Sequence, residues 1–141
     1  MFADLHIHSW YSDGTLSPEE IVKKAKSQNI TLISICDHEC VDAYSERNIY
    51  AGNDIKIING VEIIAVMADT EYHILAYGFD IQDKALNDLL LHNRGVLLEK
   101  GEKLIEKMSA DYAVISTEEF SKYERNRKNG GWESLDYLKS K

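Results

Sequence analysis

The N-terminal stretch alternates polar and apolar side chains, and this period of two predicts a β-strand over residues 4–8. The apolar side chains share one face and can be buried, whereas the polar ones share the opposite face. The apolar positions are Leu5 and Ile7, and the polar positions are Asp4, His6 and His8. The pattern therefore predicts two imidazoles side by side on one face of a sheet.

A helix and a second strand are predicted next. The helix begins near residues 17–20, where a serine can cap it, a proline takes the first helical position and Glu20 completes a capping box. Residues 31–36 are mostly apolar and β-branched, which is typical of a strand buried on both faces of a parallel sheet. This order predicts a right-handed βαβ unit, with chemistry expected at the carboxyl ends of its strands.

The middle of the chain predicts three more strands. Residues 41–54 have a weak helical pattern, and residues 55–58 predict a short strand. Two longer apolar runs, at 61–66 and 71–79, predict strands joined by a turn at residues 69–70.

Beyond residue 83 the pattern is helical. Apolar residues recur at helical spacing over 83–108, which predicts one long amphipathic helix or two helices broken near Gly101. A second capping signature predicts a short helix over 116–123, and residues 129–131 predict a turn. The apolar stripe of a last helix consists of Trp132, Leu135 and Leu138.

Length and composition predict one globular domain over residues 1–141. The sequence motifs are densest in residues 3–80, and residues 83–141 are predicted to be mainly helical. The chain is 44% hydrophobic and contains one proline. Its formal net charge of −8 argues against a protein that grips long nucleic acids. No apolar run reaches membrane-spanning length, no leader pattern is present, and the two cysteines lack a disulfide spacing. We therefore expect a cytoplasmic protein without membrane contact.

Two histidines on one strand face suit a divalent cation, because their ring nitrogens can converge on one point. Asp4, one step back on that face, is expected to orient His6. Asp13 follows in a turn-forming Ser-Asp-Gly segment, and His38 follows the second strand, so both lie at or beyond strand ends. The alternative is a set of ordinary histidines without a metal.

Glu62 is an isolated carboxylate in an apolar strand, where an unpaired buried charge is costly and favours a nearby cation. The alternative places Glu62 on a solvent-facing edge strand. His73 lies among apolar and aromatic residues of the next strand. His92 has no second ligand-type residue at a useful spacing, so we interpret it as an ordinary helix histidine. Bound cations would make the cleft attractive to phosphate in spite of the acidic surface.

Five motifs occur in a specific order: D-L-H-I-H, S-D-G-T-L-S-P-E-E, C-D-H-E, N-G-V-E-I and Y-H-I-L-A-Y-G-F-D. In this order and spacing, the chain resembles the N-terminal half of the PHP (polymerase and histidinol phosphatase) family. It is most similar to the bacterial branch of small metal-dependent phosphoesterases that act on nucleotides. The resemblance is close over residues 3–80 and looser beyond them. It implies an α/β fold, a distorted TIM-like barrel of seven βα units that is active at the carboxyl ends of its strands.

The resemblance also implies a set of metal ligands. They are His6, His8, Asp13, His38, Glu62 and His73. His6, His8 and Glu62 would hold one ion. Glu62 would bridge to a second ion bound by His73, and Asp13 and His38 would serve a third. Two or three ions of Mn, Zn or Fe suit these nitrogen and carboxylate ligands better than Mg or Ca.

Length is the main departure from the family. A βα barrel usually needs on the order of 250 residues, and the later family ligands have no counterpart after His92. We therefore expect a partial barrel, truncated after about its first half, whose exposed strand edges favour a homo-oligomer or a swapped assembly. The family has no thiolate role for either cysteine, so Cys36 is predicted to be a core residue and Cys40 a loop residue.

The function that the resemblance implies is a metal-dependent phosphoesterase, which hydrolyses phosphomonoesters or short nucleotides through metal-activated water. No catalytic residue beyond the metal ligands is implied, and Gly130-Gly131 lacks the lysine of a phosphate-binding loop. One alternative is a non-catalytic metal-binding or regulatory fragment with an incomplete site. The other is an amidohydrolase-type enzyme, which also begins with H-x-H at a first strand end but fits S-D-G-T and V-E-I less well.

Overall fold

The computed structural model describes residues 2–46, 49 and 54–141. The strands are β1 (Phe2–Ile7), β2 (Ile30–Ile35), β3 (Lys56–Ile57), β4 (Gly60–Met67) and β5 (Thr70–Tyr77). The helices are α1 (Pro18–Ser27), α2 (Lys84–Asp111), α3 (Thr117–Phe120) and α4 (Glu133–Lys139), with single 3-10 turns at Asp42–Ser45 and Arg127–Asn129. β1 and β3 flank β2 in a parallel sheet, so the predicted βαβ unit is confirmed.

The capping box predicted at the start of α1 is present. The Ser17 hydroxyl accepts a hydrogen bond from the Glu20 N–H at 3.1 Å, and the Glu20 carboxylate accepts one from the Ser17 N–H at 2.8 Å. These bonds satisfy two donors that a helix start otherwise leaves unpaired. The helix buries Ile21, Val22 and Ala25 against the core face of the parallel sheet.

β4 and β5 form an antiparallel hairpin that joins the end of β2. The hairpin turns at Ala68 and Asp69, both with positive φ, one residue earlier than predicted. At the base of the hairpin, the Glu62 N–H donates to the Asp37 carbonyl at 3.1 Å, and the Glu39 N–H donates to the Glu62 carbonyl at 3.0 Å. This parallel bridge fixes the start of β4 beside the carboxyl end of β2.

α2 is one uninterrupted helix, which decides between the two predicted alternatives. Asp83 caps it by accepting a hydrogen bond from the Leu86 N–H at 2.8 Å. Gly101 lies inside the helix, where an added Cβ would come within 3.2 Å of the Ser134 hydroxyl of α4. The glycine therefore permits the close approach of α4 rather than breaking α2.

Several predicted burial patterns are wrong in detail. Leu5 is 39% exposed, because β1 is an edge strand and only Ile7 packs against the core. β2 is buried only in its second half, since Thr31 faces solvent. In α4, Leu135 is 42% exposed while its neighbours Asp136 and Tyr137 are buried, so the predicted apolar stripe fails. The predicted helical stretch 41–54 shows only the 3-10 turn and lies partly outside the described residues.

The described strands form a three-stranded parallel sheet and a separate two-stranded hairpin, and these do not close into a barrel. The predicted α/β class is confirmed. Within the described ranges, no helix is both long and apolar enough to cross a membrane.

Candidate metal centre

The six side chains predicted as ligands come from five separate segments and lie together. β1 supplies the first histidine, the second follows directly after this strand, and the turn beyond it supplies a carboxylate. The loop after β2 supplies one further side chain, and β4 and β5 supply one each. In that order they are His6 and His8, Asp13, His38, Glu62 and His73.

The first group joins β1 to β4. The Nε2 atoms of His6 and His8 lie 3.0 Å apart. Glu62 Oε2 lies 2.9 Å from the first of these atoms and 2.8 Å from the second. Three ligand atoms therefore surround one point.

The second and third groups share members with the first. His8 Nδ1 lies 2.6 Å from Asp13 Oδ1, and His38 Nε2 lies 4.0 Å from Asp13 Oδ2. On the other side, Glu62 Oε1 lies 2.6 Å from His73 Nδ1, and Glu62 Oε2 lies 3.7 Å from His38 Nε2. The three overlapping groups are His6–His8–Glu62, His8–Asp13–His38 and His38–Glu62–His73.

These residues fit divalent ions. Two ligands at right angles on an ion with bonds of about 2.0–2.1 Å lie about 2.9 Å apart, close to the separations in the first group. His38 Nδ1 is buried with no hydrogen-bond partner among the described residues, whereas His38 Nε2 faces Asp13 and Glu62. Imidazole nitrogen and carboxylate oxygen are the donor set of Mn, Fe and Zn sites.

The electrostatics favour the metal-binding protonation states of Asp13, His38 and Glu62, whereas the raised pKa values of His8 and His73 favour protons that a metal ion would have to displace. The hydrogen bond with His8 lowers the pKa of Asp13 to about 2 and raises the pKa of His8. Burial lowers the pKa of His38, so its ring is neutral at neutral pH. Burial alone would raise the pKa of Glu62, but its contacts with His6 and His73 outweigh burial and hold this pKa below its usual value.

Asp37 supports the site, and the sequence analysis missed it. Its buried carboxylate accepts hydrogen bonds from the Ser9 N–H at 2.7 Å and from the hydroxyls of Ser9 and Ser12 at 2.6 Å each. Because this carboxylate fixes the turn between His8 and Asp13, it orients two candidate ligands at once. Ser9 and Ser12 are 25 or more residues before Asp37 in the sequence, and no sequence pattern indicates that they bind its carboxylate.

The remaining candidates lie outside the centre. Asp4 accepts a hydrogen bond from the His6 backbone N–H at 3.3 Å, so the predicted support of the His6 ring is wrong. His92 is an exposed residue of α2, away from the three groups. Cys36 is buried in the core as predicted. Cys40 lies in the loop after β2, where burial raises the pKa of its thiol to about 12.

A cavity of about 560 Å³ adjoins the metal centre. Ser12 and Trp132 form its border with the centre, and the Trp132 ring lies 5.5 Å from the His38 ring, measured between centroids. The wall also contains Tyr11, Arg94 and Arg127. The cavity thus combines aromatic surface with guanidinium and carboxylate groups, and it borders the candidate ligands only through Ser12 and Trp132.

Comparison with known proteins gives a family match over most of the chain. The PHP domain profile matches residues 4–129. A 5'-3' exoribonuclease of Haemophilus influenzae is 32% identical over 106 residues, covering 74% of this chain and 39% of that protein. A 3',5'-nucleoside bisphosphate phosphatase of Chromobacterium violaceum is 32% identical over 108 residues, covering 76% of this chain and 38% of that protein. The chain thus spans less than half the length of these curated relatives.

Two solved structures resemble the fold. One is an amidohydrolase of Chromobacterium violaceum with bound sulfate and no metal, with a TM-score of 0.78 and 26% identity over 99% of this chain and 50% of that one. The other, from Bifidobacterium adolescentis, is described as a metal-dependent phosphoesterase. It has a TM-score of 0.76 and 25% identity over 93% of this chain and 46% of that one.

Proposed function

The chain belongs to the PHP domain family, and from this premise we propose that it forms the metal centre of a phosphoesterase that hydrolyses phosphomonoesters or short nucleotides. The observation that carries the proposal is the convergence of six ligand-type side chains in three overlapping groups. A bound cation would offset the cost of burying the Glu62 carboxylate at the centre of these groups.

We propose His6, His8, Asp13, His38, Glu62 and His73 as the ligands of two or three divalent ions of Mn, Zn or Fe. When bound, such ions acidify water and offset the charge of a phosphoryl group. Glu62 directs one carboxylate oxygen towards the β1 histidines and the other towards His73, which makes it the bridging ligand of the proposal. Asp37 holds the turn that carries Asp13, so this ligand needs little reorganisation.

The substrate class follows from the centre and its neighbouring cavity. A phosphate on the centre would leave the organic part of the ester facing the cavity, whose volume lies within the usual range for small-molecule sites. Trp132 offers flat aromatic surface there, as nucleobases require. The relatives named as an exoribonuclease and a nucleoside bisphosphate phosphatase support nucleotides as substrates.

Phosphate release from a nucleoside 3',5'-bisphosphate, measured with added Mn²⁺, tests the proposal. We expect release by the unchanged chain, loss of release after EDTA, and at least a hundredfold decrease in the His8→Ala variant. His92→Ala is the matched control, because this exposed histidine lies on α2 away from the centre. Equal turnover in the His8→Ala variant and the unchanged chain would refute the proposal.

A second candidate is hydrolysis of amides, favoured by the structural neighbour named as an amidohydrolase. Hydrolysis of a cyclic amide but no phosphate ester would select it. Tight binding of Mn²⁺ without hydrolysis of either substrate would instead indicate a metal-binding fragment.

Both described cysteines are free thiols, which suits the cytoplasmic location that we include in this proposal.

A further inference from the structure

One arginine connects the turn that carries Asp13 to a turn near the other end of the chain. The Arg125 guanidinium donates to the Trp10 carbonyl at 2.6 Å and also to the carbonyls of Ser12 and Gly131. The Gly131 N–H donates to the Asp13 carbonyl at 2.8 Å. Three of these four hydrogen bonds join two segments that are more than a hundred residues apart in sequence, and the bond from Arg125 to Gly131 lies within the later segment.

The two turns fit together closely. Gly130 has a φ of +65°, and an added Cβ there would lie 2.9 Å from Thr15 Cγ2 and 3.0 Å from the Asp13 carbonyl oxygen. Neither turn can therefore shift without moving the other. Directly after them, Trp132 places its indole against the His38 ring.

Both turns act on the same group of candidate ligands. The first leads directly into Asp13, and the second holds the aromatic ring that packs on His38. These residues, together with His8, form one of the three groups. The other two groups share Glu62, and His38 also belongs to one of them, so Asp13 is the member that only this group contains. Among the described residues, the strand pairings of β1, β4 and β5 that hold His6, Glu62 and His73 do not involve either turn.

We infer that Arg125 is a positioning residue for the His8–Asp13–His38 group, which rests on the metal centre proposed above. A guanidinium suits this role because it presents five donors in a rigid plane and reaches several carbonyls at once. A lysine ammonium has one charged atom on a flexible stem and would not span both turns. Loss of Arg125 would let the two turns separate, leaving Asp13 and His38 poorly placed to share an ion.

The test is a titration with Mn²⁺ alone, in which electron paramagnetic resonance counts the free ion. In the Arg125→Ala variant we expect one equivalent of Mn²⁺ to bind at least tenfold more weakly, with the other equivalents changed less than about twofold. Arg125→Lys should behave like Arg125→Ala. Millimolar guanidinium should restore the lost equivalent in the alanine variant, where it can fill the vacated space, but not in the lysine variant.

Three further variants complete the experiment. Asp13→Asn should weaken the same equivalent directly. Arg127→Ala is the matched control, because its guanidinium lies on the same segment but over the Tyr11 ring, 5.1 Å from the centroid. Trp132→Leu tests the second turn while leaving Arg125 in place, even if Arg125→Ala does not fold. It should weaken the equivalent that Asp13 binds and leave the His6–His8–Glu62 equivalent unchanged, because the Trp132 ring packs on His38, which is not a member of that group.

The possible outcomes separate the two proposals. Unchanged Mn²⁺ binding in the Arg125 and Trp132 variants, or equal weakening of every equivalent, would overturn the inference and leave the metal centre standing. Absence of Mn²⁺ binding by the unchanged chain would overturn the metal centre and the inference with it. Selective loss of one equivalent, with rescue by guanidinium, would establish the role of Arg125.

Discussion

Glu62 is the residue on which the candidate centre depends most. Its side chain is 4% exposed, and its two oxygens lie within 3 Å of the rings of His6, His8 and His73. A carboxylate in this position needs positive charge nearby, since burial without compensation costs several kcal/mol. The need for a nearby positive charge could be predicted from the sequence, because every neighbour of Glu62 in β4 is apolar or glycine.

Gly14 is required by the close packing of the turn that carries Asp13. An added Cβ would lie 2.6 Å from the His8 carbonyl carbon and 2.9 Å from that of Ser9. We expect Gly14→Ala to destabilise the chain by about 1–3 kcal/mol and to weaken Mn²⁺ binding, because the turn must open. Urea denaturation and a Mn²⁺ titration measure the two effects.

Gly95→Ala is the control for Gly14→Ala. Gly95 lies within α2, and an added Cβ there meets nothing within 4 Å. The substitution should stabilise the chain by about 0.5–1 kcal/mol, because alanine is the better helix former. Destabilisation of similar size in both variants would contradict the packing argument.

Asp136 should make stability depend on pH in the acid range. Burial alone would raise the pKa of its carboxyl, but hydrogen bonds from Asn129, Tyr123 and the Asn126 N–H outweigh burial and lower this pKa. The unfolded chain then binds the proton more tightly, so the stabilisation is complete above the ordinary aspartate pKa of about 3.9. It is lost as the pH falls through the lower folded pKa.

Asp136→Asn removes this titration and should cost about 1–3 kcal/mol near neutral pH. Urea denaturation of both proteins between about pH 6 and pH 2 should show the difference shrinking as the pH falls. A difference that stays constant over this range would contradict the assignment.

At the scale of elements, Tyr44 joins the end of β2 to the start of β4. Its buried hydroxyl donates to the Ile35 carbonyl at 2.6 Å and accepts from the N–H groups of Gly60, at 2.8 Å, and Ile35, at 3.1 Å. Burial raises the pKa of Tyr44 to about 12, so the hydroxyl remains protonated. Because Glu62 follows Gly60 by two residues, this junction sets the position of the shared carboxylate.

Tyr44→Phe leaves two buried N–H groups without their partner and should destabilise the chain by about 2–3 kcal/mol. Tyr72→Phe is the matched control, since the ring of Tyr72 is exposed on β5 and its hydroxyl should contribute little. Urea denaturation distinguishes the two variants, and equal stability of both would argue against the junction.

Elements that depend on interactions between residues close together in the sequence could be predicted. The capping box of α1 and the strand β1 depend on residues a few positions apart, and both are present, although burial does not alternate along β1. Burial in α4 could not be predicted, because Asp136 is buried through partners in the preceding loop rather than through an apolar stripe. The exposure of Leu5 depends on which strands lie beside β1, and periodicity does not contain that information.

At the scale of the whole molecule, the ligands of the candidate centre could be predicted from motifs, whereas the residues that support them are visible only in the fold. The predicted ligands lie together because parallel strands bring their carboxyl ends to one edge, and the hairpin adds its base to the same edge. Asp37 lies in the C-D-H-E motif and Arg125 lies in none of the five motifs, and the roles of both depend on backbone groups that only the folded chain brings near.

The hairpin also presents an apolar surface opposite the centre. Side chains alternate along both strands, so the face away from Glu62 and His73 is formed by a second set of residues. This outer hairpin face consists of Ile63, Ala65, Met67, Tyr72 and Ile74. Met67 is 66% exposed and Ile74 is 50% exposed. In the described part of the chain, β5 also pairs on one side only.

We expect a second copy of the chain to cover the outer hairpin face, because an exposed apolar face beside an unpaired strand edge favours association. Light scattering after gel filtration should give at least twice the monomer mass, increasing with concentration. The double variant Met67→Lys and Ile74→Lys should shift the mass to that of a monomer without changing Mn²⁺ binding, because the substituted face lies opposite Glu62. Leu91→Lys, at an exposed leucine of α2, is the control and should leave the mass unchanged. A monomer at every concentration would show that the face stays uncovered in solution, and a monomer produced equally by Leu91→Lys would show that association depends on overall charge rather than on the hairpin.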